Sequence, residues 1–218
     1  MKKAILVLGM HRSGTSALSG TLNILGAYLG LHVALPAPDN PKGFFENVQM
    51  TALNDTLLMA YGNGWDDENM ESIISHRLSQ EIIEIVKKTI SSIMGDHEII
   101  SIKDPRIMIL FPYYRQALKE LGYKVHLIKT IRNQQGVINS LVNRNNFTEE
   151  KSAALLKKYE YEISKHISSK VATIKFEEFV NNPDQGIQLL KDNLPFLDYS
   201  EEKISQVKEF LDKSLMHS

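Results

Sequence analysis

The chain contains no cysteine. That excludes disulfides, thiolate metal sites and a cysteine nucleophile, and it fits a reducing compartment. Neither sign of charge is in excess: 25 Lys and Arg against 26 Asp and Glu give a formal net charge of −1. With no global field to draw in nucleic acid or an anionic membrane, an anion site must be made locally, from a few placed cations and backbone N–H groups. Long apolar runs are missing too. Met1-Lys2-Lys3 followed by Ala4 to Gly9 is too short for a secretory leader, and no later run approaches the ~20 residues that span a bilayer. The expectation is a soluble, cytoplasmic protein with no transmembrane segment and no nucleic acid partner. No repeat, low-complexity tract or obvious linker breaks the 218 residues, which suffice for one sizeable domain.

What the sequence does contain is alternation. Apolar runs alternate with helical patterns, the signal for a three-layer α/β fold with a central, mostly parallel β-sheet flanked by helices. Strands are expected at Ala4 to Leu8, Glu98 to Ile102, Lys124 to Ile131 and Lys170 to Phe176. Thr15 to Leu29 reads as a helix with Leu18, Leu22, Leu25 and Leu29 on one face. Further helices are expected at Val48 to Tyr61, Tyr113 to Leu121 (stopped by Gly122), Gln134 to Arg144, Glu149 to Ile167, Asp184 to Asn193 and Ser200 to Leu215. Leu31 to Asn47 holds Pro36, Pro38, Pro41 and Gly43, so it forms no regular element. A long irregular loop inside a compact domain is often functional.

The strongest local signal is Gly9-Met10-His11-Arg12-Ser13-Gly14-Thr15-Ser16, between a buried strand and a helix. A glycine-containing turn there offers backbone N–H groups and a helix dipole to an anion. Ser13, Thr15 and Ser16 add hydroxyls, and Arg12 adds a full charge. The turn resembles a Walker A loop, so the domain reads as P-loop-like. The nucleotide triphosphate version has Lys directly after the last Gly. Here Thr15 holds that place and the cation is Arg12.

Met10 to Ser16 is similar to the 5′-phosphosulfate loop of sulfotransferases that use 3′-phosphoadenosine 5′-phosphosulfate (PAPS). That family's second signature is an Arg at a strand end and a Ser eight residues later, which hold the donor's 3′-phosphate. Arg132 and Ser140 match that spacing, with Gln134 where the family often has Pro. Arg144 is four residues after Ser140, so it shares its helix face and can join it on a phosphate. Asn40 to Asn47 resembles the acceptor-side loop of bacterial members, and Leu53-Asn54-Asp55 through Trp65-Asp66-Asp67 resembles the segment after it. Lys103-Asp104-Pro105-Arg106 and Lys175-Phe176-Glu177-Glu178-Phe179 also resemble family segments, the latter mainly structural. At the C-terminus, Phe210 to His217 resembles a family ending that usually has Pro at the Lys213 position and Arg at the Met216 position.

The resemblance implies a single sulfotransferase-like domain over 1–218, with an acceptor-side insertion at about 31–75. It implies PAPS as donor, adenosine 3′,5′-bisphosphate as product, and a small-molecule, glycan or lipid-linked acceptor. The implied donor-binding residues are His11, Arg12, Ser13, Gly14, Thr15, Ser16, Arg132, Ser140 and Arg144. Arg12 and Lys103 are the candidate cations at the transferring group, since both lie just beyond strand C-termini, where ligands of open α/β sheets bind. The family's general base is a Glu or a His. Glu46, in the irregular loop beside Phe44 and Phe45, is the first candidate; His11, His32, Asp39 and Asp55 compete. Asp104 is expected to orient Lys103 or Arg106 rather than bind Mg²⁺. The histidines lack metal-ligand spacing, so no metal is expected. Trp65, Tyr61 and Phe44 are candidate acceptor-pocket walls. Two other readings stay open: a P-loop kinase-like transferase that uses Mg²⁺-ATP, and a non-catalytic nucleotide-binding protein.

Overall fold

Strand β1 (Lys3–Leu8) divides its side chains between two cores. Ala4, Leu6 and Leu8 enter one, and Ile5 and Val7 the other, as the two-residue period of a strand requires. The computed structural model describes residues 1–36, 42–69, 78–168 and 170–211. Within them β1 lies between β2 (Ile99–Lys103) and β3 (Lys124–Ile131), with β4 (Ala172–Lys175) outside β3. Every pairing is parallel. A parallel sheet needs helices over both faces, and it has them.

The first core is covered by α2 (Val48–Ala60), α3 (Gln80–Met94), α4 (Ile107–Glu120), α5 (Gln134–Asn145) and α6 (Glu149–Ser164). The second is covered by α1 (Thr15–Ile24), α7 (Phe176–Asn181), α8 (Pro183–Asn193) and α9 (Glu201–Phe210). The three-layer α/β expectation therefore holds.

Helix bounds differ from the sequence pattern where local rules meet tertiary ones. α1 stops at Ile24, short of the expected Leu29, although Leu25 and Leu29 are still buried. α4 begins at Ile107, six residues before its expected start, and carries Pro112 inside it. An interior proline costs ~3 kcal/mol. Ile107 to Phe111, Tyr113, Tyr114, Ala117 and Leu118 are all buried; at ~1.5–3 kcal/mol for each large side chain, that burial outweighs the lost hydrogen bond. Helix α3 has no counterpart among the expected elements. At α5, Gln134 stands where proline would start a helix, and Asn133 does the work instead: its side chain accepts from the N–H of Gln135 at 2.9 Å. Of the expected terminal helix, residues 212–215 lie outside the described residues.

Candidate active site

The C-terminal ends of β1, β2 and β3 deliver Met10 to Ser16, Lys103 and Arg132 to one edge of the sheet. Three loop features shape the cleft between them. First, the turn after β1 is wound tightly: Ser13 donates to the Met10 carbonyl through both its N–H (3.2 Å) and its hydroxyl (2.6 Å). Arg12 adopts φ 68°, a left-handed conformation uncommon outside glycine. Gly14 caps α1 at φ 88°, and a Cβ there would lie 2.3 Å from the Phe176 ring. The first turn of α1 then presents N–H groups that have no intrahelical acceptors. We expect Gly14→Ala to lower the thermal unfolding midpoint by on the order of 10 °C. Left-handed strain of ~1–2 kcal/mol adds to a steric clash of ~1–3 kcal/mol, and each kcal/mol moves the midpoint by about 2–4 °C in a chain of this size. An unchanged melting curve would mean that the turn does not have this geometry.

Second, the proline-rich stretch is pinned at its two ends. Val33 and Asn47 form an antiparallel bridge. Ala34 N–H donates to the Glu46 carbonyl at 2.7 Å, and Val48 N–H donates to the His32 carbonyl at 3.1 Å. Asn47 caps α2 by accepting from the N–H of Gln49 and Met50, and its amide donates to the Leu31 carbonyl. This brace turns Phe44 and Glu46 inward. Lys103 Nζ, almost wholly buried, donates to Glu46 Oε1 at 2.5 Å, to the Phe44 carbonyl at 3.0 Å and to Ser16 Oγ at 3.3 Å. Ser16 Oγ itself donates to the Phe44 carbonyl at 3.1 Å.

Third, Asp104 opens the turn into α4. Its Oδ1 accepts from Arg106 N–H at 2.9 Å and from the Arg106 guanidinium at 3.0 Å, while Arg106 Nε reaches Asp55 on α2 at 2.5 Å. Asp104 thus orients Arg106, one of its two expected partners. Burial works against the charge on Arg106, but Asp104 and Asp55 outweigh it and raise its pKa.

Arg12, Ser140 and Arg132 meet. Arg12 Nε donates to Ser140 Oγ at 2.6 Å, and Arg132 donates to the Arg12 carbonyl at 3.2 Å. Arg132 lies over the Phe176 ring, 5.2 Å from its centre, with Glu177 at 3.9 Å; burial lowers its pKa and Glu177 opposes that shift. Arg144 lines the same cavity as Arg12 and Arg132. It stacks over Phe44 at 5.2 Å, on the side of the cleft towards the proline-rich stretch.

His11 is the wall between two cavities. Its ring packs against Trp65 at 4.6 Å and Tyr159 at 5.8 Å, and Nε2 is shielded from solvent with no hydrogen-bond partner. Burial, then Arg106, Lys103, Arg144 and Arg12, hold its pKa well below the usual value, so the imidazole is neutral near pH 7.

Of the other base candidates, Asp55 is taken up by Arg106. His32 is exposed and its carbonyl serves the brace. Asp39 lies outside the described residues. Trp65 and Phe44 line cavities, whereas the Tyr61 hydroxyl bonds Tyr113, and burial and that contact push its pKa up to about 12. Two contributors stand outside the residues nominated for the site. Phe176 supports Gly14 and Arg132, and Thr130 lies 3.3 Å from the Ser13 hydroxyl. Both sit at or just beyond strand C-termini, which is the signal that marks them. Among the described residues no group of His, Asp and Glu is arranged to hold a metal ion, and no helix is long and apolar enough to cross a membrane.

The fold is shared with solved sulfotransferase domains. One is the sulfotransferase domain from the curacin biosynthetic pathway, with a TM-score of 0.50 and 17% identity over 95% of this chain and 78% of that one. Another is the sulfotransferase domain from the Synechococcus PCC 7002 olefin synthase, with a TM-score of 0.51 and 15% identity over 100% of this chain and 88% of that one. No protein-family model and no curated protein matches the chain.

Proposed function

From the shared fold and the cleft above the sheet, we propose that the protein transfers a sulfuryl group from PAPS to a hydroxyl or amine, within a single domain over 1–218 whose acceptor side is supplied by about residues 31–75. The observation that carries this reading is the convergence of the Arg12 turn, Lys103 and Arg132 on one cavity, which Phe176 and the start of α1 also line. A phosphosulfate brings several negative oxygens to one place. Helix N–H groups, two guanidiniums and an ammonium suit them. Thr15 standing where an NTPase has lysine suits a donor with a single phosphate at the 5′ end. In this reading His11 to Ser16 hold the 5′-phosphosulfate, and Arg132, Ser140 and Arg144 serve the 3′-phosphate.

The reaction is an in-line displacement at sulfur. The acceptor oxygen or nitrogen bonds to sulfur, the bond from sulfur to the 5′-phosphate oxygen breaks, and adenosine 3′,5′-bisphosphate leaves with that electron pair. Arg12 and Lys103 stabilise the charge that develops on the transferred and bridging oxygens. Glu46 takes the acceptor's proton. The Lys103–Glu46 ion pair gives these two roles a common trigger. Lys103 must turn from the carboxylate to the sulfuryl oxygens, and the same movement frees the carboxylate to accept a proton.

Isothermal titration with adenosine 3′,5′-bisphosphate, beside ATP with Mg²⁺, tests the reading. We expect bisphosphate binding with a Kd on the order of micromolar, about −8 kcal/mol, and weak or silent ATP. Preference for Mg²⁺-ATP, or no bisphosphate binding, would overturn it.

A further inference from the structure

Phe44, Glu46 and Arg144 line three cavities at once. One is the donor cleft. A second runs outwards past Ala34, Val48 and Ala52 to an open mouth. The third lies on the far side of His11, and its walls include His11, Arg12, Trp65, Arg106 and Arg144. This inner chamber shares His11, Arg12 and Arg144 with the donor cleft, but it takes no part of α1 and neither Arg132 nor Phe176, and it adds Arg106 and Trp65. Among the described residues that line it there are three guanidiniums and one carboxylate, Glu46.

We infer that the acceptor is itself an anion, and that it places a carboxylate or phosphate group in the chamber walled by Arg12, Arg106 and Arg144 while its hydroxyl lies beside Glu46. This rests on the sulfotransferase reading and deepens it. Four features of the chamber support it. Guanidinium groups offer planar paired donors that match the oxygens of carboxylates and phosphates. Arg106 is held in a fixed orientation by Asp104 and Asp55, so little of its freedom is lost on binding. His11 presents a buried, unpartnered Nε2 among the wall groups, a position that a bound polar group can satisfy. Asp55 and Asp104 offset the charge of Arg106, and Lys103 does the same for Glu46. Trp65 and Phe44 supply flat apolar walls that suit a ring between the two polar ends.

The test fills the donor site first. With adenosine 3′,5′-bisphosphate at saturation, the protein is titrated with 3-hydroxybenzoate, with 3-hydroxyphenyl phosphate and with methyl 3-hydroxybenzoate, a neutral analogue of the acid. At least one anion is expected to bind tenfold or more tightly than the ester, and which one does so separates carboxylate from phosphate. Arg144→Met removes an exposed side chain, so the fold is expected to survive; in this variant the preference falls to about threefold or less. Equal or better binding of the ester, a preference that survives Arg144→Met, or no binding of either anion to the bisphosphate complex would overturn the inference. Failure of the bisphosphate itself to bind would instead remove the sulfotransferase reading beneath it.

Discussion

Arg12→Ala is expected to reduce sulfuryl transfer by about a thousandfold or more and to weaken bisphosphate binding by about ten- to a hundredfold. The first figure corresponds to ~4 kcal/mol, the upper scale for removing one preorganised donor from a developing negative charge. The second corresponds to ~1.5–3 kcal/mol, the scale of hydrogen bonds to charged groups. Arg12 does more than present a charge. Its carbonyl accepts from Arg132 and its Nε donates to Ser140, so it ties the turn after β1 to the β3–α5 junction. Alanine keeps the left-handed φ of 68° without the contacts that compensate for it. Arg12→Gly removes the same contacts but adopts that φ freely. Both variants should therefore be inactive, with the glycine variant melting higher. Steady-state turnover, titration calorimetry and thermal unfolding of the pair separate charge from backbone strain. Near-normal transfer in either variant would exclude Arg12 from the chemistry.

Glu46→Gln is expected to slow transfer by roughly a hundredfold or more, the usual scale for a general base, while leaving donor affinity intact or improved. The improvement follows from the ion pair. Lys103 is held by Glu46, and that hold competes with any anion in the donor cleft. Glutamine weakens it. The cost falls on the ligand-free protein, because removing one member of a buried pair leaves a charge without its counterion. A lower melting point without ligand, and a larger upward shift on adding bisphosphate, is thus the expected signature. A residue that merely supports the loop would lower the rate without enlarging the ligand-induced shift. Unchanged turnover would remove Glu46 from the mechanism.

Local patterns carry much of this fold. β3 has the bounds that its apolar run predicts, Lys124–Ile131, and the composition of the turn after β1 nominates it as a candidate anion site. Elements whose signals conflict are harder to read. Pro112 reads as a breaker, yet burial around α4 overrides it. α3 is a different case: Ile83, Val86, Ile90, Ile93 and Met94 repeat at helical spacing and all are buried, so its signal is in the sequence. The site contacts were not legible in this way. Lys103 meets Glu46 across 57 positions, Arg106 meets Asp55 across 51, and Arg12 meets Ser140 across 128. Sequence spacing can nominate each residue, but the pairing depends on how the sheet edge and the braced stretch come together.

The strand order bears on how the chain is made. β1 pairs only with β2 and β3 in the described sheet, and neither begins before residue 99. During synthesis at ~5–20 residues per second, β1 waits about 5–20 seconds for its first strand neighbour. Its unpaired edges are a template for other chains throughout that interval. Such a segment suits a holding chaperone, and the contacts of the following turn with Thr130, Arg132 and Ser140 form only after β3 and α5 have been made.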